Sequence, residues 1–172
     1  MRRPERIPII LESLRDDSNK LKVLEKFFKP KEGSQLEIGM PYFEIETIIK
    51  RWNKLFEEFS VFWKLTPDLR LSQALVNCGV MPNFMGFCYY LEDDTIMIST
   101  NILEPRDICF WGQNYDKDLN RLSQTNWILI KDMSIDHIKA ILNDCKSNNQ
   151  LVGNKYLEYF NNEIKLREND KV

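Results

Sequence analysis

Histidine is the scarcest reactive side chain in this 172-residue chain, and His137 is the only one. A single imidazole excludes the HNH nuclease, the HExxH protease and multi-histidine metal centres, each of which needs at least two. His137 in a serine or cysteine triad stays open, although no Gly-x-Ser-x-Gly elbow accompanies it. Cys78, Cys88, Cys109 and Cys145 are scattered through apolar or helical contexts without a CxxC pair. That spacing opposes a structural zinc site and suits buried, reduced thiols. Glu92, Asp93 and Asp94 offer carboxylates to a hard cation. Consecutive side chains point different ways, however, so a solvated turn or a helix N-terminus is the expectation. Pro67-Asp68 with Glu163-Ile164-Lys165 has the letters of a metal nuclease, but the two parts lie too far apart and both fall in helical stretches. Phosphate loops of the GxxxxGKS/T or GxGxxG type are absent. No catalytic group, metal ion or cofactor is expected.

Charge points the same way. The 24 basic and 26 acidic side chains leave a net charge of −2, which gives no global field toward nucleic acid or an anionic membrane. No apolar run is long enough to span a bilayer, and the opening MRRPERIPIILESLRDD has too short and interrupted an apolar stretch for a secretory signal. The expectation is a cytoplasmic protein without membrane contact.

The elements that must position these residues are mostly helices. Ile45, Ile48, Ile49, Trp52, Leu55, Phe56, Phe59, Phe62 and Trp63 recur at steps of three and four, which predicts one long amphipathic helix over 41–65. At Thr66-Pro67-Asp68 the stripe stops, and Thr66 is expected to cap a new helix with Pro67 in its first turn and Asp68 on its positive end. That helix carries Leu71, Ala74, Leu75 and Cys78 inward and stops at Gly79. Upstream, Ile9, Ile10, Leu11 and Leu14 read as an opening helix preceded by solvated Arg2, Arg3 and Arg6. Asp17 or Ser18 caps a second helix with Leu21, Leu24, Phe27 and Phe28 on one side, closed by Pro30. Residues 30–41 read as a loop.

Beyond Gly79 the pattern mixes aromatic and β-branched residues. Phe87 to Leu91 suits a short strand, and Thr95 to Ser99 suits either a strand or a helical turn begun by the acidic triplet. RDICFWGQNY and TNWILIKDM read as a hairpin around the polar loop DKDLNRLSQ, with Trp111 and Trp127 paired or on one sheet face. Ser134 is expected to cap a helix carrying Ile135, Ile138, Ile141, Leu142 and Cys145, and His137 to bond Asp132 or the hairpin. A last helix turns Tyr156, Leu157, Phe160 and Ile164 inward, and RENDKV frays. The fold class is α+β: a helix-rich N-terminal half packed on the long helix, then a small antiparallel sheet with two C-terminal helices. One domain is expected, with 1–101 and 102–172 as its possible parts.

Two stretches resemble known groups. RIPIILESL, FWKLTPDLRLSQALVN and YYLEDD resemble small uncharacterised bacterial domains with a PDLRL-x-Q helix and an acidic turn; here the segment from about Arg15 to Phe59 intervenes. WGQNYDKDLNRLSQTNWILIKDMSIDHIKAIL with YLEYFNNEIKLRE is similar to a hairpin plus DMSxxHIxxIL helix in small phage and mobile-element proteins, with Asp132, Met133, Ser134, His137 and Ile138 as motif positions. Neither group brings a chemistry; together they imply a mobile-element accessory protein.

Two function classes follow. The first is a non-enzymatic interaction protein that binds a host or defence protein through surface aromatics, with Tyr89, Tyr90, Trp111 and Tyr115 as candidates. The second is a nucleic-acid binder, with Arg106, Lys117, Arg121 and Lys131 on phosphates and Trp111 or Tyr115 stacked on a base. Against it, Asp107, Asp116, Asp118 and Asp132 alternate with those cations. An enzyme of unknown type ranks third.

Overall fold

The computed structural model describes residues 5–28, 42–81, 92–116, 118–148 and 154–169. The expected strand at Phe87–Leu91, the loop over 30–41, and Arg2, Arg3, Cys88, Tyr89, Tyr90 and Lys117 lie outside them. The fold is α+β, with helices and one two-stranded antiparallel sheet among the described residues. Two compact units divide the chain, Met1–Leu103 and Glu104–Val172.

The first unit comprises α1 (Arg6–Ser13), α2 (Asp17–Phe28), α3 (Tyr42–Lys54), α4 (Phe56–Leu65), α5 (Leu71–Asn77) and α6 (Asp93–Ser99). Its core is the aromatic stripe of α3 and α4. Trp52, Phe59 and Trp63 are fully buried, Trp52 edge-on to Phe59 at 5.9 Å and Phe59 stacked on Trp63 at 5.7 Å. Burying each ring contributes roughly 4–6 kcal/mol before conformational entropy is subtracted. The predicted single helix is broken at Leu55, whose backbone leaves helical geometry (φ −102°, ψ 11°). Hydrogen bonds from Leu55 N–H to Arg51 O and from Phe59 N–H to Leu55 O bridge the break, so the stripe kinks while staying on one face. Beside the kink, Lys20 from α2 is buried against Asp17 (2.9 Å) and the Asn53 side chain, with its ammonium 5.3 Å from the Phe56 ring centre.

Three local expectations change. Thr66 does not cap the next helix: its hydroxyl donates back to Phe62 O at 2.8 Å, and Pro67 and Asp68 lie in a turn closed by Leu69 N–H on Thr66 O. A threonine hydroxyl can serve the helix behind it as well as the one ahead, and proline suits the second position of a turn. Helix α5 starts instead at Leu71, after Arg70, whose N–H is taken by the Gln73 side chain. Asp16, not Asp17 or Ser18, caps α2, accepting Ser18 N–H at 2.7 Å. Arg6 is not solvated, because it pairs with Asp94 at 3.3 Å.

The acidic triplet is the N-terminus of α6, with Glu92 exposed and the two aspartates inside. Asp93 and Asp94 are buried. Glu92 meets Arg70 at 2.9 Å, Asp93 accepts Leu71 N–H at 2.8 Å, and Asp94 holds Arg6. These carboxylates therefore tie the starts of α1 and α5 to α6. Helix α5 stops as predicted: Gly79 sits at φ +69°, with Gly79 N–H on Val76 O and Val80 N–H on Leu75 O, a Schellman cap.

The second unit contains α7 (Pro105–Ile108), β1 (Phe110–Tyr115), β2 (Arg121–Leu129), a 3-10 turn at Ile130–Asp132, α8 (Ile135–Asn148) and α9 (Asn154–Asn169). The Ser134 hydroxyl accepts His137 N–H at 3.2 Å at the start of α8. Among the described residues the His137 ring makes no bond to Asp132. RENDKV does not fray at its start: α9 continues to Asn169. Arg167 donates to Met133 O (2.6 Å), Lys131 O (2.7 Å) and Ile130 O (3.1 Å), which ties α9 to the 3-10 turn and to the residue after it. The same guanidinium bonds Glu163 at 2.6 Å, and Glu163, only 1% exposed, also holds Arg106 of α7.

Two stability tests follow. A Cβ at residue 79 meets nothing within 4 Å, so Gly79→Ala should lose about 1–2 kcal/mol from backbone strain alone, read as a lower urea midpoint at unchanged slope. Glu163→Ala leaves two arginines facing each other without their carboxylate and should lose about 3 kcal/mol. A loss under about 1 kcal/mol in that variant would refute its assigned role.

Candidate partner-binding site at the hairpin tip

The hairpin is held at its base and free at its tip. Phe110 opposes Leu129, Trp111 opposes Ile128, Gly112 opposes Trp127, Gln113 opposes Asn126 and Tyr115 opposes Arg121. Side chains alternate along a strand and opposed residues share a face. Trp111 and Trp127 therefore lie on opposite faces, against expectation. Trp111 packs edge-on against Phe160 at 5.3 Å and Tyr156 at 6.3 Å, both on α9. Trp127 crosses over Gly112, where an added Cβ would sit 2.5 Å from its ring. Glycine is required there because the tryptophan occupies the side-chain space.

Between Gln113 and Tyr115 the ladder shifts, with extra residues on β2. Such a bulge bends the ribbon and interrupts its edge. Strand β2 begins at Arg121, so the connection is 116–120, shorter than the predicted DKDLNRLSQ loop. Asp116 organises it. Its carboxylate accepts Asp118 N–H and Asn120 N–H, both at 2.9 Å, and the Asn120 amide at 3.1 Å. Its own N–H bonds Asn120 O at 3.0 Å, and Leu119 N–H bonds Asp116 O at 3.1 Å. The main-chain N–H of Asn120, then its side-chain amide, hold the Asp116 carboxyl below its ordinary value of 3.8.

The turn and the strand end beside it present two apolar side chains to water. Tyr115 is 53% exposed and Leu119 is 83% exposed. Leu119 also adopts φ +62°, a left-handed conformation that costs a residue bearing a Cβ about 1–2 kcal/mol. A branched apolar residue there is doubly unfavourable for the isolated protein, since glycine would relieve the backbone and a polar residue would suit the solvent.

The other sequence candidates separate. Trp111 is half-buried, one part of it packed on α9. Arg106 is committed to Glu163, and Lys131 pairs with Asp107 at 3.2 Å. Arg121 is exposed at the tip end of β2, whereas Lys131 lies beyond its other end, so these cations form no single phosphate-binding stripe. Asp132 is exposed. Among the described residues no three His, Cys, Asp or Glu side chains gather as a metal ion requires, and no helix is long and apolar enough to cross a membrane. Leu119 and Asp116 escaped sequence reasoning, although the signal was present: DKDLN spaces an Asp and an Asn for a self-bonded turn around one leucine.

The Asp116 turn predicts its own acid response. Its carboxyl titrates lower folded than unfolded, so the turn's stabilisation is present above the unfolded value near 3.8 and is lost as pH falls through the lower folded value. The Asp118 and Asn120 amide resonances should hold their shifts at pH 4 and move only below it; a midpoint at or above 3.8 would contradict the turn.

Comparison with known proteins returns no relative: no family model matches the chain, and no curated protein or solved structure matches it.

Proposed function

We propose that this chain is a non-enzymatic interaction protein that docks on a protein partner through the hairpin tip, with Tyr115 and Leu119 as anchors. The carrying observation is Leu119, an exposed leucine in strained left-handed backbone at the end of a turn rigidified by Asp116. Strain at an exposed position is retained where a bound state rewards it. A preordered turn reduces the conformational entropy lost on association, and a leucine beside a tyrosine suits an apolar pocket on the partner. The resemblance of WGQNYDKDLNRLSQ and DMSIDHIKAIL to phage and mobile-element proteins extends the reading to an accessory factor that binds a host or defence protein. The pairing of Arg106 and Lys131 with acids disfavours nucleic acid as the ligand.

The test is Leu119→Gly, for which the reading expects opposite signs in two measurements. Stability should rise by up to about 1 kcal/mol as the strain is relieved, less glycine's own backbone entropy. Affinity capture from host extract treated with nuclease should lose the partner that the unaltered chain retains. A partner that persists with Leu119→Gly, or one that disappears on nuclease treatment alone, would overturn the reading.

A further inference from the structure

Helix α4 turns one apolar strip toward water. Ser60 is buried, with its hydroxyl donating to Phe56 O at 2.7 Å, whereas its neighbour Val61 is 58% exposed and Leu65 is 77% exposed. Residues four apart share a helix face, so Val61 and Leu65 form one strip, bordered by half-buried Phe62. An exposed valine favours neither the solvent nor the helix, because its branched Cβ loses rotamer freedom against the preceding turn. The charges beside the strip are divided by end. Glu57 and Glu58 stand in the first turn of α4 and Lys64 in the last. All three are exposed. Glu57 reaches Arg15 at 3.6 Å between two largely solvated side chains, and Lys64 meets no acid among the described residues.

We propose that this strip is where two copies of the chain associate, α4 lying antiparallel on α4 of the second copy about a two-fold axis beside Val61. Glu57 and Lys64 are seven residues apart, close to two full turns, so they lie along one side of the strip. Their midpoint falls between Ser60 and Val61. An axis there sets Val61 against its own counterpart and each Glu57 beside the Lys64 of the other copy. Leu65 is then covered by the methylenes of the opposite Glu58. The strip is thus complementary to itself when reversed, which an isologous contact requires and an unrelated partner need not match. A net charge of −2 puts little repulsion between the copies. One helix face is far below the area of an obligate dimer, so the association is weak and depends on concentration. The contact uses α4 of the first unit, and the proposed docking tip belongs to the second.

The experiment is sedimentation equilibrium of the full chain over a range of concentrations, with the urea midpoint of each variant as the folding control. The unaltered chain should pass from monomer to dimer as concentration rises. Val61→Glu sets two carboxylates against each other at the axis and should abolish the dimer at an unchanged midpoint. Glu57→Lys and Lys64→Glu should each weaken it about tenfold, since each change places like charges together twice. An equimolar mixture of those two variants should form a mixed dimer of strength close to that of the unaltered chain, because opposite charges then meet on both sides of the axis. Leu119→Gly should leave the dimer unchanged, so failure here and failure at the tip are read separately. A chain that stays monomeric up to about 1 mM, a dimer that survives Val61→Glu, or a mixture no stronger than its separate components would overturn the proposal. So would loss of the nuclease-resistant host partner on Val61→Glu while the chain stays monomeric, which assigns the strip to that partner.

Discussion

The second unit depends on one carboxylate. Glu163 is almost completely buried, and a lone buried carboxylate is strongly unfavourable. Arg106 and Arg167 offset that cost from two directions, and each does further work through the contact. Arg106 brings α7 onto α9. Arg167 carries the link onward to the 3-10 turn and the residue after it, donating to the carbonyls of Ile130, Lys131 and Met133 between the hairpin and α8. Helix α9 thus fixes the base of the hairpin at two levels, the ion cluster and the Trp111 packing on Phe160. A hairpin of two strands is marginal in isolation, and these anchors make it a mounted element with its far end free.

The first unit solves a different problem with similar means. Its aromatic stripe supplies non-directional burial, which does not by itself determine where short helices begin. Carboxylates at the N-terminus of α6 supply that direction, each with a separate partner on α1 or α5. Hydrogen bonds to charged groups contribute about 1.5–3 kcal/mol each and are intolerant of displacement. The acidic triplet is consequently structural, and its clustering in sequence reflects three local tasks, not one shared cation.

Features set by neighbouring residues were legible in the sequence, and features set by distant ones were not. Helical spacing located Trp52, Phe59 and Trp63 in the core, and Gly79 announced the end of α5, because period and backbone freedom are local properties. Thr66 misled because its hydroxyl has two helices within reach and the letters do not choose between them. The two tryptophans were placed on one face because their face depends on register; Gly112, facing Trp127, was the residue that recorded it. Arg106 and Glu163 are 57 residues apart, and no spacing rule links an arginine near a proline to a glutamate inside a helix. Of the tip, Tyr115 was legible as an exposed aromatic, whereas Leu119 looked like one more loop residue until its dihedral and exposure were known.

That last residue separates stability from use. Apart from Tyr115 beside it, the large apolar side chains named in the hairpin have protein against them: Phe110 is buried, Trp111 lies on α9, and Trp127 crosses Gly112. Leu119 departs from the pattern in both backbone and solvation, yet the surrounding turn is tightly bonded, so local looseness does not explain the departure. The turn holds the leucine in its unfavourable place. The turn commits three carboxylate hydrogen bonds to a conformation that keeps one apolar side chain in water, so in the isolated chain the bonding of Asp116 outweighs the solvation and backbone cost of Leu119.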